Sequence, residues 1–470
     1  MKKTKIICTM GPACADHDTL TRMVQAGMNV ARFNFSHGSH DDHRANIDLV
    51  KQVRRELDVP VALMLDTKGP EFRIGTFETG SVELAAGDAF TLTTQQVPGN
   101  QERVSVSCPG IVERLAVGDR ILINDGLVVV EVTRLTDTDA VCRVLVGGRL
   151  SNNKSMSFPN KVLHTTYLSE QDKADLRFGI EMDVDYVAAS FVSTAQDMRD
   201  LREFLDANGG KDIDIIAKIE NRSGVDNARA ILDYCEGIMV ARGDLGVEIP
   251  YEELPPVQKR LIRICLARGK VVITATEMLE SMTEKPRPTR AEISDVANAV
   301  YDGSSAVMLS GETAAGKYPV EAVSAMSRIA VETEADIHYD RRFHATDFTL
   351  YSSSDAMSHG ACSLAIDVGA SAIVACTLSG ETARQVSRFR CPKPIIGMTT
   401  SRKVWNQLAL AWNVLPSLSE QFPSVDVLLY YAANAARRSG LVEPGQHIII
   451  TAGSTNGASG NTDLIKMSEV

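Results

Sequence analysis

Eight short apolar segments, each ending in polar residues, most strongly limit the folds open to this chain. In chain order they are KIICTM, NVARFNF, VPVALMLD, DYVAASF, DIDIIAKI, GIMVARG, KVVITAT and SSAVMLSG. Helical patterns separate nearly all of them; in the first, Leu20, Met23 and Val24 share one face. This alternation predicts an α/β fold with parallel strands covered by helices.

The number of strands favours a closed barrel. Eight parallel strands, each followed by a helix, predict a (β/α)8 TIM barrel with an interior filled by valine and isoleucine. An open doubly wound sheet is the alternative. Two observations count against the open sheet: no glycine-rich dinucleotide fingerprint follows the first strand, and polar residues recur at the carboxyl ends of many strands.

Two further domains interrupt or follow the barrel, as a length of 470 residues suggests. We assign residues 1–69 and 169–340 to the barrel. Short strands and turns predict an inserted β-barrel domain at 70–168. A polar linker is expected at 341–354, and SAIVACT, PIIGMTT, VLPSLSE and HIIITAG predict the strands of a C-terminal α/β domain at 355–470.

Composition excludes several classes of protein. A net charge of -11 argues against binding to nucleic acid or to an anionic membrane. No apolar run approaches the ~20 residues that span a bilayer, and the first residues do not resemble a signal peptide, so we expect a cytoplasmic protein. The nine cysteines show neither zinc nor disulfide spacing, and Cys265 fits a buried helix face.

Two neighbouring strands end in charged residues. Lys218 and Glu220 in AKIEN project to the same side, and Gly243 and Asp244 in ARGDLG follow the next strand. Each motif has an ordinary structural explanation, an ion pair or an aspartate turn. Together, two carboxylates and a lysine at one rim predict a magnesium and phosphoryl site.

The second and third strands end in oxygen-bearing side chains. Arg32 suits a phosphate or carboxylate group, and Asn34 and Ser36 follow it in ARFNFSHG. With Asp66 and Thr67 of the third strand, they could supply four oxygens to a monovalent cation. The residue pattern by itself favours an ordinary polar network.

Three other motifs are less specific. Thr276 in TATEML is a candidate functional residue only because of its place at a strand end. His37, His40 and His43 could suggest a metal, but a solvated helix start is favoured. A strand-to-helix turn carries Thr377, Ser379, Gly380 and Thr382, which suits either a phosphate or a plain helix cap.

Taken together, the motifs resemble the signature set of the pyruvate kinase family, in that family's order and over nearly the whole chain. They are ARFNFSHG, LDTKGPEFR, AKIEN, ARGDLG, TATEML, PRPTRAEISDVANAVYDG and LSGETAAGKYP. The resemblance implies transfer of the phosphoryl group of phosphoenolpyruvate to ADP, giving pyruvate and ATP in glycolysis. It also implies a homotetramer and a role for the inserted domain as a lid.

The resemblance further implies roles for individual residues. Catalytic roles fall to Lys218, Thr276 and Arg32, with Thr276 as the candidate proton donor through water. Substrate binding falls to Arg32, Lys218, Gly243, Asp244 and Thr276, and nucleotide binding to Asn34, His37, Arg73 and Lys154. Glu220 and Asp244 would hold Mg²⁺ (or Mn²⁺), and Asn34, Ser36, Asp66 and Thr67 would hold K⁺.

Some positions refine this expectation. Glu71 matches the potassium-dependent type of the family, in place of the lysine of potassium-independent relatives. Ser155 and Glu277 depart from the usual glycine and glutamine. The Thr377–Thr382 loop resembles an effector phosphate loop, so we expect activation by a sugar phosphate, although the tail at 451–463 lacks a clear basic or aromatic sugar clamp.

Two other functions remain open at this point. A lyase or aldolase on a related barrel could use the same lysine, carboxylates and magnesium to stabilise an enolate, but it has less need of a lid. A catalytically inactive sensor of sugar phosphates is the third possibility. The intact set Lys218, Glu220, Asp244 and Thr276 speaks against it.

Overall fold

The barrel is closed and all its strands are parallel. The computed structural model describes residues 2–108, 110–159, 166–421, 424–453 and 462–470. The barrel strands, paired in chain order, are Lys5–Thr9, Val30–Asn34, Ala62–Asp66, Tyr186–Ala189, Asp214–Ile219, Gly237–Ala241, Val271–Ala275 and Ala306–Leu309. The predicted TIM barrel is therefore confirmed, and the open sheet is excluded.

Helices surround the barrel, and several of them begin at side-chain caps. They are His17–Ala26, His40–Glu56, Glu170–Glu181, Ala195–Ala207, Arg222–Ile231, Arg242–Glu248, Leu254–Ala267, Arg290–Asp302, Gly311–Ala314 and Pro319–Asp336. Ser39, Ser169, Thr194 and Thr289 each form a reciprocal capping box with an acidic residue three positions later. These caps set the residues at which the helices begin, and therefore where the loops after the strands end.

The barrel interior differs from the valine and isoleucine filling that we predicted. It contains methionines, alanines and Tyr186 beside the branched residues. Ala409 and Leu410 of the C-terminal domain belong to the same buried cluster. The end of the barrel opposite the polar strand ends is thus packed against another domain, and this packing selects residue sizes that strand alternation does not specify.

The inserted segment is rich in β-strands. A seven-stranded sheet contains Phe72–Arg73, Ala89–Thr93, Arg103–Ser105, Arg120–Ile123, Val128–Leu135, Asp139–Val146 and Ser155–Ser157, and a two-stranded ladder pairs Ser81–Leu84 with Gly148–Ser151. A separate apolar core that includes Phe90, Ile121 and Val130 holds these strands together. This agrees with the predicted all-β insertion.

The C-terminal part is a five-stranded α/β unit. Its strands are Ala372–Cys376, Ile395–Thr399, Val414–Leu418, His447–Ala452 and Leu464–Glu469, and only the last is antiparallel. Its helices are Ser353–Asp367, Glu381–Arg388, Arg402–Gln407 and Val425–Arg438. The predicted linker is wrong in part, because helix Tyr339–Ala345 occupies its beginning and buries Phe343.

Hydrogen bonds join the C-terminal unit to the amino ends of the barrel strands. The Tyr186 hydroxyl donates to the Gln407 carbonyl at 2.6 Å, and the Gln407 amide donates to the Asp212 carbonyl at 2.8 Å. The Lys5 ammonium donates to the Val414 carbonyl at 2.7 Å. These bonds hold helix Arg402–Gln407 and strand Val414–Leu418 against the barrel.

The cysteines and the longest helices can be described for the same ranges. All nine cysteines are free thiols, and Cys265 is fully buried as predicted. No helix in these ranges is long and apolar enough to cross a membrane.

Candidate active site

A buried lysine lies at the centre of the polar residues at the carboxyl end of the barrel. The Lys218 ammonium donates to Asp66 Oδ1 at 3.0 Å and to Ser190 Oγ at 2.7 Å, and it lies 3.0 Å from Glu220 Oε1. Arg32 donates to the second Asp66 oxygen at 2.6 Å. Two cations and two carboxylates from three barrel strands therefore meet in one cluster.

The charges of this cluster support one another. Burial disfavours the charged form of Lys218, but Asp66 and Glu220 outweigh it and raise the pKa of the ammonium group. Burial also opposes ionisation of Asp66, but Arg32 and Lys218 outweigh it and lower the pKa of that carboxyl. Lys218 is therefore a permanent cation at neutral pH, held in a fixed position.

The second carboxylate of the cluster is held by the backbone of a neighbouring strand end. Glu220 Oε2 accepts from the Phe191 backbone N–H at 2.6 Å. Burial raises the pKa of Glu220 to about 7, with a further contribution from Asp244, and burial likewise raises the pKa of Asp244. Two crowded carboxylates of this kind are hard oxygen ligands that a divalent cation would neutralise.

Thr276 occupies a strained backbone position. Its φ is 66°, which is uncommon for a β-branched residue. Its hydroxyl accepts from the Gly243 N–H at 2.8 Å and donates to the Ala275 carbonyl at 2.6 Å, and Arg242 donates to the Thr276 carbonyl at 2.6 Å. Such strain is found at sites where the surrounding bonds impose it.

Gly243 has no steric reason within the protein to be glycine. A Cβ there would meet nothing closer than the Thr276 hydroxyl, at 3.5 Å. Its φ is not positive either, since it lies in helix Arg242–Glu248. The free space at this position is compatible with close approach by a ligand, as the sequence suggested.

The inserted domain faces the barrel across a cleft. The cleft is lined from both sides, and its barrel wall includes Phe191, Asp244 and Glu248. Glu248 accepts from the Phe158 N–H at 3.2 Å, and burial raises the pKa of Glu248 to about 7. This bond ties the base of the insertion to a helix of the site.

The serine that departs from the family pattern has a contact in this cleft. Ser155 Oγ donates to Asp125 Oδ1 at 2.8 Å, and Asp125 has a positive φ of 56°. Asp125 contributes to the raised pKa of Asp244, after burial. Ser155 thus orients a carboxylate of the insertion that faces the barrel site. Glu277 is exposed, and nothing in the structure explains its replacement of glutamine.

Two of the predicted nucleotide residues, Arg73 and Lys154, lie in the inserted domain, apart from the lysine cluster. Arg73 forms an ion pair with Glu71 at 2.7 Å and donates to the Asn153 carbonyl at 2.6 Å. Lys154 belongs to the same part of the insertion, where its carbonyl accepts from Ile74. Neither Arg73 nor Lys154 lines the cleft, whereas Glu71 does.

The four predicted potassium ligands are near one another. Asn34 and Asp66 are directly paired in register on adjacent strands. Asn34 Oδ1 accepts from the Ser36 N–H at 3.1 Å, and Thr67 Oγ1 accepts from the Ser190 N–H at 3.1 Å. Asn34 and Asp66 thus adjoin at one edge of the barrel, but Asp66 is also the carboxylate that holds Arg32 and Lys218.

The three histidines do not converge. His43 Nε2 is 2.9 Å from the His37 carbonyl, and its ring stacks on Phe35 at 4.0 Å. His40 instead pairs with Asp175 at 2.7 Å. The expected solvated helix start is wrong for His43, which is buried because it packs on that aromatic ring.

The C-terminal loop has the predicted strand-to-helix geometry. Gly380, with φ 86°, precedes helix Glu381–Arg388, and Arg384 donates to the Ser379 carbonyl at 2.8 Å. The Thr382 hydroxyl contacts the Thr462 hydroxyl at 3.0 Å. Thr377 is buried. Of the tail expected to lack a sugar clamp, residues 454–461 lie outside the described ranges.

Several residues of the site were not predicted. Ser190 and Phe191 follow the fourth barrel strand, and their contacts with Lys218 and Glu220 are among the shortest in the cluster. The signal for Ser190 was present, because DYVAAS ends in a polar residue like the other strands. Asp125 and Glu248 gave no comparable signal.

The described residues supply only part of the ligand set that a metal ion needs. Among the described residues, no group of three or more His, Cys, Asp or Glu side chains is arranged to hold one. Glu220 and Asp244 supply two carboxylates, which suits Mg²⁺ because it is commonly bound by one or two carboxylates together with substrate phosphate and water. The donor set therefore fits a metal that binds together with its substrate.

Comparisons with known proteins agree with this geometry. Residues 1–323 match the family described as "Pyruvate kinase, barrel domain", and residues 355–468 match "Pyruvate kinase, alpha/beta domain". A pyruvate kinase of Clostridium acetobutylicum is 44% identical over 100% of both chains. One of Geobacillus stearothermophilus is 45% identical over 99% of this chain and 80% of its own.

A solved structure gives the same result. The crystal structure of a pyruvate kinase from Cryptosporidium parvum superposes with a TM-score of 0.95 at 37% identity, covering 100% of this chain and 96% of that one. The barrel, the inserted β-sheet and the C-terminal α/β unit are thus matched together, and the resemblance found in the motifs is confirmed. The chain belongs to the pyruvate kinase family.

Proposed function

We propose that the cleft transfers the phosphoryl group of phosphoenolpyruvate to ADP, with Lys218 as the principal catalytic cation. The chain is a phosphotransferase, as its family membership establishes. The observation that best supports the assignment to Lys218 is its burial between Asp66 and Glu220 at the mouth of the barrel. A fixed cation of this kind stabilises charge that develops during phosphoryl transfer.

Arg32 and Lys218 would bind the phosphate and carboxylate of the substrate. Both side chains are oriented by Asp66, so that neither must be ordered when the substrate arrives. The Gly243 backbone would lie beside the substrate in the space that the missing Cβ leaves open. Asp66 is in this account a positioning residue as well as a candidate potassium ligand.

Glu220 and Asp244 would hold Mg²⁺ or Mn²⁺. The ion would neutralise charge on the phosphate and the enolate oxygen when bound. Asp125, oriented by Ser155, would add negative potential from the lid side. The lid itself would exclude water from the reacting groups, with the bond between Glu248 and Phe158 limiting its position.

Thr276 is our candidate for delivering the proton to enolpyruvate through water. Its hydroxyl is held by Gly243 and Ala275 on the wall of the site, within reach of a substrate bound near Gly243. A hydroxyl is a weak acid, so the threonine would relay a proton and not supply one from a titrating group.

The test is whether pyruvate release requires ADP. Protein incubated with phosphoenolpyruvate, Mg²⁺ and K⁺ should release pyruvate only after ADP is added. Release at the same rate without ADP would instead support a lyase or a phosphatase that shares the enolate chemistry.

Activity should depend on a monovalent cation. Asn34, Ser36, Asp66 and Thr67 provide oxygens next to Lys218, and a cation there would add positive charge near the transferring group. We expect kcat to fall by about tenfold or more, ~1.4 kcal/mol of barrier, in buffer that contains tetramethylammonium in place of K⁺ and Na⁺. Full activity in that buffer contradicts the assignment.

Glu71→Lys is the matched variant for this prediction. In this chain Glu71 pairs with Arg73 at 2.7 Å, so that a lysine would place a second cation beside the cleft. The variant should retain more of its activity than the unaltered protein when K⁺ is removed. Equal losses in both proteins would show that Glu71 does not set the cation requirement.

Activation by a sugar phosphate is proposed for the loop around Gly380. Thr377, Ser379 and Thr382 supply hydroxyls before or within the first turn of helix Glu381–Arg388. Sugar phosphates should shift the saturation curve for phosphoenolpyruvate, and Thr382→Val should reduce the shift. Superimposable curves with and without each sugar phosphate contradict the proposal.

The remaining assignments rest on the family. Asn34, His37, Arg73 and Lys154 are proposed to contact the nucleotide; closure of the lid would be needed to bring Arg73 and Lys154 to the cleft. A cytoplasmic homotetramer is likewise proposed from family membership, and analytical ultracentrifugation tests the tetramer.

A further inference from the structure

A second cavity lies between the barrel and the C-terminal unit, away from the cleft. Its volume is about 780 Å³, and its walls come from helix His40–Glu56, the turn at Asp183 and helix Arg402–Gln407. A volume of this size suits a small-molecule ligand. The Thr377–Thr382 loop does not line it.

The walls of this interdomain cavity are positively charged. Lys51, Arg54, Arg55 and Arg402 face two carboxylates, those of Asp48 and Asp183. Asp183 is already paired with Lys403 at 2.7 Å. An excess of cations is unexpected in a chain with a net charge of -11.

The cations are crowded, and among the described residues only Arg54 of the four has an ion pair, with Asp185 at 3.5 Å. Burial, and then the charge of Arg54, lower the pKa of Lys51. Arg55 donates only to the Lys51 carbonyl among the bonds that the described residues show, and Arg402 lies over the ring of Trp405 at 4.8 Å. An anion in the cavity would relieve the repulsion between these groups.

An unpartnered amide lies in the same wall. Asn406 is 3% exposed, and its Oδ1 accepts no hydrogen bond from any residue that the structure describes. A buried acceptor without a donor costs about 1–3 kcal/mol, so its presence calls for a reason. Rotation about the Cβ–Cγ bond would turn the amide toward the cavity, where a hydroxyl group could donate to it.

We infer that this interdomain cavity binds a small phosphorylated metabolite, with the phosphate on Lys51, Arg55 and Arg402 and a hydroxyl on Asn406. Guanidinium groups match phosphate oxygens in geometry and charge. A ligand with one anionic group and several hydroxyls would account for both the excess of cations and the unpartnered Asn406 oxygen. Inorganic phosphate would account only for the cations.

The position of the cavity connects it with the active site. Lys403 holds Asp183 and the Val184 carbonyl at 2.7 and 2.6 Å, just before strand Tyr186–Ala189. That strand, about 13 Å long, ends at Ser190, which accepts from Lys218. A ligand that fixes helix Arg402–Gln407 against the barrel therefore acts one strand away from the catalytic lysine.

Trp405 supplies a local reporter for the test. The chain has only two tryptophans, so the full-length Trp412→Phe protein has Trp405 as its single indole. Titration with ribose 5-phosphate should change the Trp405 emission saturably, because the ligand draws Arg402 away from the ring. In the same background, Lys51→Gln/Arg55→Gln should raise the Kd by at least about tenfold, ~1.4 kcal/mol.

Two controls separate this cavity from other phosphate sites. Arg134→Gln/Lys211→Gln removes the same charge from exposed positions elsewhere and should leave the titration unchanged. Thr382→Val should leave it unchanged too, because the Gly380 loop lies outside the cavity. Thermal unfolding of each variant checks that it is folded.

Asn406→Leu tests the hydroxyl contact. The variant should weaken ribose 5-phosphate more than inorganic phosphate, because only the sugar carries hydroxyl groups apart from the phosphate itself. The inference is overturned if neither probe gives a saturable emission change up to about 10 mM. This range covers a millimolar site, whose binding free energy is ~4 kcal/mol. Equal titrations in Lys51→Gln/Arg55→Gln and Arg134→Gln/Lys211→Gln also overturn it.

Discussion

Replacement of Lys218 by methionine should lower kcat by about 100- to 1000-fold, the range found when one fixed donor to transition-state charge is removed. Methionine keeps most of the volume of the side chain but leaves no charge between Asp66 and Glu220. The rate of pyruvate formation at saturating phosphoenolpyruvate and ADP gives the result. A kcat within about twofold of the unaltered protein refutes the role assigned to Lys218.

The chain offers a closely matched control for this variant. Lys403 is 12% exposed, compared with 10% for Lys218, and it too lies beside two carboxylates, Asp183 and Asp185. Lys403→Met should also destabilise folding, since it removes a cation from beside the buried Asp185, as Lys218→Met removes one from beside the buried Asp66 and Glu220. It should leave kcat nearly unchanged, which separates the loss of catalysis from the loss of stability.

Glu220→Gln should have the second largest effect. The change removes one of two carboxylates proposed to hold the divalent ion, while the amide oxygen can still accept from the Phe191 N–H. We expect a loss of about 3 kcal/mol, or about 100-fold in kcat, together with a higher Mg²⁺ concentration for half-maximal activity. Titration of activity with MgCl₂ measures both quantities.

Glu248→Gln is the control for this second prediction. Glu248 lies in the same cleft and accepts from the Phe158 N–H, as Glu220 accepts from Phe191. It is not proposed to hold metal, so its replacement should leave the Mg²⁺ titration midpoint unchanged. A shift of the midpoint in Glu248→Gln and none in Glu220→Gln would contradict the assignment of the metal ligands.

Strand number and order could be predicted because they are encoded locally. Each barrel strand is a short apolar run followed by an amphipathic helix, so alternation along the chain was sufficient. The residues that fill the barrel interior could not be predicted in this way, because alternation gives the direction of a side chain but not the space available to it. Tyr186 and Met64 fill the barrel partly because Leu410 from another domain closes its end.

The C-terminal elements that were not predicted depend on contacts with residues far away in the sequence. Helix Tyr339–Ala345 reads as polar sequence, yet Phe343 packs into the C-terminal core. Strand Leu464–Glu469 forms by pairing antiparallel with His447–Ala452, and its own sequence is only weakly apolar. Neither partner can be identified from the segment itself.

The candidate site, like the fold, could be predicted from the sequence only in part. Lys218 and Glu220 were placed together because the two-residue spacing fixes their side. The central position of Asp66 was not foreseen, since its contacts with Arg32 and Lys218 depend on how three strands are aligned across the barrel. Proximity within a strand is predictable from spacing, whereas proximity across the barrel mouth requires the closed structure.

The most direct test of the proposed reaction is a ³¹P NMR time course with phosphoenolpyruvate, ADP, Mg²⁺ and K⁺. The phosphoenolpyruvate signal should decline as the γ-phosphate signal of ATP rises in equal amount, with no build-up of inorganic phosphate. Lys218→Met should show neither change over the same period. Decline of phosphoenolpyruvate with release of inorganic phosphate, and without ATP, would contradict phosphoryl transfer to ADP.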